Sequence, residues 1–203
     1  VSTRRLTMTR PNDEEVRIEA NGFVLTGTLS KPADAKGPLP AVVLVAGSGP
    51  TDRDENVAGI PIFGQIAHAL ADAGFMVLRY DKRGVGQSGG RVESATLADY
   101  AEDLRAAIRM LADRKDVDRR RIALVGHSEG GSLAMIAASK ERRVAGVALV
   151  VGALVANNVL LRVRSLQRVS QGLASVLANT LQAETLHSLW VTPLPTMPNL
   201  ATK

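Results

Sequence analysis

The chain has 203 residues, is 45% hydrophobic and has a mean hydropathy of +0.05, which suits one globular domain and excludes a disordered chain. Aromatics make up only 3%, so the core must be aliphatic, and the lack of cysteine excludes a disulfide framework, a thiolate nucleophile and a Cys-based zinc site. The net charge of +5 is uneven: residues 1–152 hold 21 Lys/Arg against 19 Asp/Glu, and residues 153–203 hold 4 against 1, with Glu184 the single acid.

Residues 1–10 are polar and basic with no apolar stretch, so no signal peptide is read there and a cytoplasmic location is expected. The first residue is Val rather than Met, which is compatible with a trimmed upstream segment. Val16 to Ala20 alternates apolar and polar, Asn21-Gly22 follows, and Phe23 to Ser30 alternates again, which predicts a β-hairpin. Lys31 to Pro40 reads as a loop. Ala41 to Ala46 is a continuous β-branched and aliphatic run, the pattern of a strand covered on both faces. A Gly-rich segment leads to a predicted helix from Ile62 to Ala73, closed by Gly74, and Phe75 to Tyr80 is a further buried strand.

Leu97 to Lys115 carries Leu97, Tyr100, Ala101, Leu104, Ile108 and Leu111 on one stripe and predicts the clearest helix. Arg119-Arg120-Arg121 reads as a solvated helix-to-strand loop and, without a recognition motif or stacking aromatics, does not point to nucleic acid. Arg121 to Val125 is a strand, Gly130 to Ser139 a small-residue helix and Val144 to Val151 another strand. The apolar run Val144 to Ala156 is too short to span a bilayer. Alternation of strand and helix after an antiparallel hairpin predicts an α/β fold with a doubly wound, mostly parallel sheet.

After Gly152 the character changes. Acids nearly vanish, and Val159, Val163, Leu166, Val169, Leu173 and Val176 recur at helical spacing with no further strand–helix pair. Residues 1–152 are therefore read as the N-terminal part of the domain and 153–203 as a helical tail. Two origins fit that tail: a truncated or frameshifted second half, or a helical cap over the site.

The chemistry lies in Gly126-His127-Ser128-Glu129-Gly130, a G-x-S-x-G pattern. The pattern alone is weak, but here it follows a buried strand and precedes a helix. A serine on that tight turn is presented as a nucleophile, with the helix N-terminus and the Glu129 N–H favouring a developing oxyanion. The flanking glycines avoid collisions between turn and helix.

Three segments together resemble the α/β-hydrolase superfamily, and within it the serine-aminopeptidase-like or dienelactone-hydrolase-like bacterial esterases. Val45-Ala46-Gly47-Ser48-Gly49-Pro50-Thr51-Asp52-Arg53-Asp54-Glu55-Asn56 sits where that family places its oxyanion loop. Tyr80-Asp81-Lys82-Arg83-Gly84-Val85-Gly86-Gln87-Ser88 resembles its D-x-R-G-x-G-x-S turn, and Gly126 to Gly130 its nucleophile elbow. The resemblance covers residues 15–152. It implies a hydrolase of carboxylic esters or related acyl substrates working through an acyl-serine at Ser128, with the Ser48 N–H as second oxyanion donor. It implies no cofactor, no metal, no nucleic-acid or membrane partner, and a small acyl or ester substrate; it does not fix the oligomeric state.

Asp52, Arg53 and Asp54 either bind substrate or brace the loop, and bracing is the preferred reading; Asp81 and Arg83 are expected to lock their turn by an ion pair. A seryl hydroxyl needs a base and an orienting acid, which this fold supplies in the chain order Ser, acid, His. His127 adjoins the nucleophile with its ring directed elsewhere, and His68 lies upstream on a helix. His187, with Glu184 three residues before it, has the right order, although that spacing also describes a local helical pair. The alternative function is a catalytically inactive hydrolase fragment that lacks the acid and histidine of a triad.

Overall fold

The computed structural model describes residues 8–57 and 59–150. β1 (Asp13–Glu19) and β2 (Val24–Ser30) form the predicted hairpin, turning at Asn21-Gly22, where Gly22 takes a φ of 85°. β3 (Leu39–Val45) is followed by a small hairpin, β4 (Asn56–Val57) and β5 (Ile60–Pro61), which the sequence pattern did not announce. Then come α1 (Ile62–Asp72), β6 (Met76–Tyr80), α2 (Leu97–Ala112), β7 (Val117–His127), α3 (Glu129–Lys140) and β8 (Val144–Val150).

Six strands form one sheet in the order β1-β2-β6-β3-β7-β8. The pairs β3–β6, β3–β7 and β7–β8 are parallel, while β1–β2 and β2–β6 are antiparallel. The mostly parallel α/β sheet with a leading antiparallel hairpin is thus as the sequence predicts. The unbroken apolar run of β3 is explained by its two faces. Ala41, Val43 and Val45 pack with α2 and α3, whereas Val42 and Leu44 pack with Phe63, Ile66 and Leu70 of α1. Burying both faces removes the need for polar alternation.

Two local expectations change. Arg119, Arg120 and Arg121 are solvated but belong to the extended start of β7, where the pairing with β3 shifts register between Leu39 and Ala41. Leu97, placed on the buried stripe of α2, is 46% exposed at the first residue of the helix, whereas Leu104, Ile108 and Leu111 are buried.

β3 connects through α1 to β6 on one side, and the chain then crosses back to β7 on the other side of β3. The C-terminal ends of β3 and β7 therefore flank a topological switch point, where open α/β sheets form their binding crevice. Among the described residues, no helix is long and apolar enough to cross a membrane, and no group of three or more His, Asp or Glu side chains could hold a metal ion.

Candidate active site

Ser128 stands between the last residue of β7 and the first of α3, with φ 51° and ψ −120°. Positive φ is disfavoured for a residue with a Cβ, and the surrounding structure must enforce it. Here it is enforced from three directions. The Ser128 N–H donates to the Val150 carbonyl of β8 at 3.0 Å, and the Ser128 carbonyl accepts from the Gly131 N–H at 2.9 Å. A side chain on Gly126 would meet the Cα of Gly131 at 2.6 Å, and one on Gly130 would meet the Ala46 carbonyl oxygen at 2.7 Å. The two glycines let α3 start against the ends of both β7 and β3. The result is an exposed seryl side chain on a sharp strand-to-helix turn, with no hydrogen-bond partner for its hydroxyl among the described residues.

The Gly47–Ser48 loop lies beside it because Val45 of β3 pairs with Gly126 of β7. Gly47 is buried and Ser48 exposed, so the residue expected to supply the second donor lies at the surface beside the turn. A Cβ on Gly47 would lie 3.3 Å from His127 Nδ1 and 3.4 Å from the His127 carbonyl oxygen, which measures how closely loop and elbow approach. Ser48, Ser128 and Glu129 are thereby brought together at the ends of adjacent strands.

The segment Asp52 to Glu55 braces this loop. Arg53 grips Asp81 with two side-chain bonds, Nε at 3.1 Å and Nη2 at 2.7 Å, and its backbone N–H also donates to Asp81 Oδ1. Asp52 Oδ1 accepts from the Asp54 N–H at 3.1 Å, and Asp54 Oδ1 accepts from the fully buried Arg79 at 2.9 Å. The expected ion pair between Asp81 and Arg83 is not formed. Asp81 faces back to Arg53, while Arg83 reaches forward to Asp103 of α2 through bonds of 2.7 and 2.8 Å. Gly86, in the turn that follows Arg83, has a φ of 57° and packs so close to Asp81 that a Cβ would lie 2.6 Å from its carboxylate. Ser88 completes the turn, accepting from the Thr26 N–H and donating to the Asp81 carbonyl.

Both described histidines are already engaged. His68 Nε2 lies 3.3 Å from the buried Asp13, and burial lowers its pKa despite that carboxylate, so at neutral pH the contact is a hydrogen bond. His127 Nδ1 lies 2.8 Å from Glu55 Oε1, whose hydrogen bond raises the ring pKa above its ordinary value while burial opposes it. The ring next to Ser128 is thus turned toward the Gly47–Ser48 loop. Two participants escaped the sequence reading, Glu55 and Lys82. Nothing in the pattern announces a buried lysine or a glutamate with φ 44°. His187 and Glu184 lie outside the described residues.

The profile of the family described as serine aminopeptidase, S33, matches residues 60–199. This chain belongs to that family. Among curated proteins, 123 of its residues are 42% identical to "Esterase EstD" of Thermotoga maritima, covering 59% of this chain and 28% of that protein. A stretch of 125 residues is 36% identical to "Thiohydrolase apmlB" of Arthrinium phaeospermum, covering 61% of this chain and 38% of the other. The chain therefore matches about a third of the length of these curated relatives. Among solved structures, the α/β hydrolase GrgF of Penicillium sp. sh18 superposes with a TM-score of 0.58 at 28% identity, over 68% of this chain and 45% of that one. The hypothetical protein PA2218 of Pseudomonas aeruginosa superposes with a TM-score of 0.60 at 23% identity, over 73% and 46%, a likeness of fold. The S33-family member described here is thus an α/β-hydrolase by profile and by architecture.

Proposed function

We propose that the chain carries the nucleophile and oxyanion hole of a serine hydrolase acting on carboxylic esters or related acyl substrates. The observation that carries this reading is the backbone at Ser128: a serine held at φ 51° on a strand-to-helix turn, its side chain exposed beside the Gly47–Ser48 loop. Strain of this kind is maintained where a side chain must be presented to a reacting group. The 42% identity to the protein named Esterase EstD and the structural likeness to Est1E, solved with ferulic acid at 26% identity and a TM-score of 0.56, support an ester as the substrate.

In this mechanism Ser128 Oγ attacks the acyl carbonyl as a base takes its proton, and the carbonyl oxygen becomes an oxyanion. The N–H groups of Ser48 and Glu129 hold that charge, the latter aided by the N-terminal dipole of α3. Collapse breaks the bond to the alcohol, which leaves with the proton, and water then hydrolyses the acyl-serine. No cofactor or metal takes part. His187 is the candidate base and Glu184 the candidate acid.

The engagement of both described histidines with carboxylates favours a second reading, an inactive fragment that retains the nucleophile without a working base. Hydrolysis of p-nitrophenyl acetate separates the two. Turnover by wild type that is lost in Ser128→Ala supports the enzyme, and a further loss in His187→Ala places the base in the tail. A folded wild type no faster than Ser128→Ala supports the inactive reading.

A further inference from the structure

Gly47, which precedes the proposed donor Ser48, has both of its backbone polar groups gripped by charged side chains, in a way the proposed reaction can use. On one side the Gly47 N–H donates to Glu55 Oε1 at 2.7 Å. On the other, the Gly47 carbonyl accepts from Lys82 Nζ at 2.9 Å. Both side chains are buried, Lys82 at 5% exposure and Glu55 at 3%. A bond from an ammonium to a carbonyl is charge-assisted and stronger than a neutral one.

The orientation follows from peptide geometry. No cis peptide occurs among the described residues, so the Gly47 carbonyl and the Ser48 N–H lie in one rigid plane and point in opposite directions. Fixing the carbonyl on Lys82 therefore fixes the direction of the Ser48 N–H. The same ammonium lies 3.2 Å from Oε1 of Glu129, the residue that supplies the other oxyanion N–H, and 4.6 Å from the centre of the Tyr100 ring. The Lys82 N–H additionally donates to the Thr51 carbonyl at 3.3 Å, tying the lysine to the same loop.

We propose that Lys82 is a positioning residue that sets both oxyanion donors, holding the Gly47–Ser48 peptide by its carbonyl, while Glu55 fixes the preceding peptide, and holding the start of α3 through Glu129. This rests on the reading of Ser128 as nucleophile. Lys82 acts through the peptide and touches no reacting atom. Its loss should weaken oxyanion stabilisation more than substrate binding.

The test compares wild type with Lys82→Met, which keeps the aliphatic stem and removes the ammonium, in the full chain. The backbone amide shifts of Ser48 and Glu129, followed by NMR, should move in the variant, while those of Val43 and Leu124 in the strands stay in place. The kcat for p-nitrophenyl acetate should fall about 10- to 100-fold with KM unchanged, a part of what deleting an oxyanion donor removes. Should Lys82→Met fail to fold, the wild-type ammonium decides: a Lys82 Nζ signal protected from solvent exchange supports the clamp. A freely exchanging ammonium, or a folded Lys82→Met with unchanged Ser48 and Glu129 amides, overturns it. Wild type that turns over no ester counts against the Ser128 reading alone, because the amide readout needs no turnover.

Discussion

Replacing Arg79 with Met should destabilise the fold by about 3–5 kcal/mol, the usual result of removing one partner from a buried ion pair. Arg79 is 1% exposed, and its guanidinium bonds Asp54 Oδ1 at 2.9 Å, Ser30 Oγ at 2.7 Å and the Met8 carbonyl at 2.5 Å, with Asp13 Oδ2 3.5 Å away. Met refills most of the aliphatic volume, so the loss is electrostatic. It leaves Asp13 and Asp54, at 2% and 12% side-chain exposure, without a cation between them. Against a typical domain stability of about 5–15 kcal/mol this is a large fraction. Urea unfolding followed by far-UV circular dichroism reads it, with the slope held equal between variants. Neutralising the orphaned charge in Arg79→Met/Asp54→Asn should recover about 1–3 kcal/mol as a coupling energy. A single-variant loss below about 1 kcal/mol, or strict additivity in the double variant, would refute the assignment of Arg79 as the buried cation that anchors the segment after β3.

Two further outcomes follow from the elbow and its neighbour. Ser128→Gly should raise stability by about 1 kcal/mol, since relief of a strained positive φ, about 1–3 kcal/mol, outweighs the entropy that glycine adds to the unfolded chain; calorimetry showing a lower Tm would contradict the strain. For His127, an NMR titration should give a pKa above the ordinary value of about 6.5 in wild type and a lower one in Glu55→Gln, because the carboxylate hydrogen bond is what raises it. A raised histidine pKa contributes stability that is complete below the unfolded value and lost as pH rises through the folded one. The stability gap between wild type and Glu55→Gln should therefore narrow as pH rises above about 6.5, and a widening gap would reverse the assignment.

The elements that position the site were legible because each obeys a strong local rule. Asn21-Gly22 between alternating runs marks the hairpin, the unbroken β3 run marks a strand buried on both faces, and the two glycines around Ser128 mark a turn with no room for a Cβ. The motif Asp81 to Ser88 was recognisable as a unit, but its ion pairs were not. Sequence proximity suggested Asp81 with Arg83, whereas the turn sends one to Arg53 and the other to Asp103. Glu55 and Lys82 were invisible for a related reason. Charged residues read as solvated unless a partner is known, and their partner here is the backbone of one residue, Gly47, 8 residues from Glu55 and 35 from Lys82. Such contacts depend on how loops from β3 and β6 meet, which no periodicity encodes.

Labelling by a fluorophosphonate probe tests the central claim most directly, because the probe reacts with a serine only where a nucleophile is activated beside an oxyanion hole. Wild type is predicted to take up one label, mapped by mass spectrometry to the peptide holding Ser128, and Ser128→Ala to take up none. A correctly folded wild type that stays unlabelled, or one labelled equally in the Ser128→Ala variant, would contradict the account of Ser128 as the activated nucleophile.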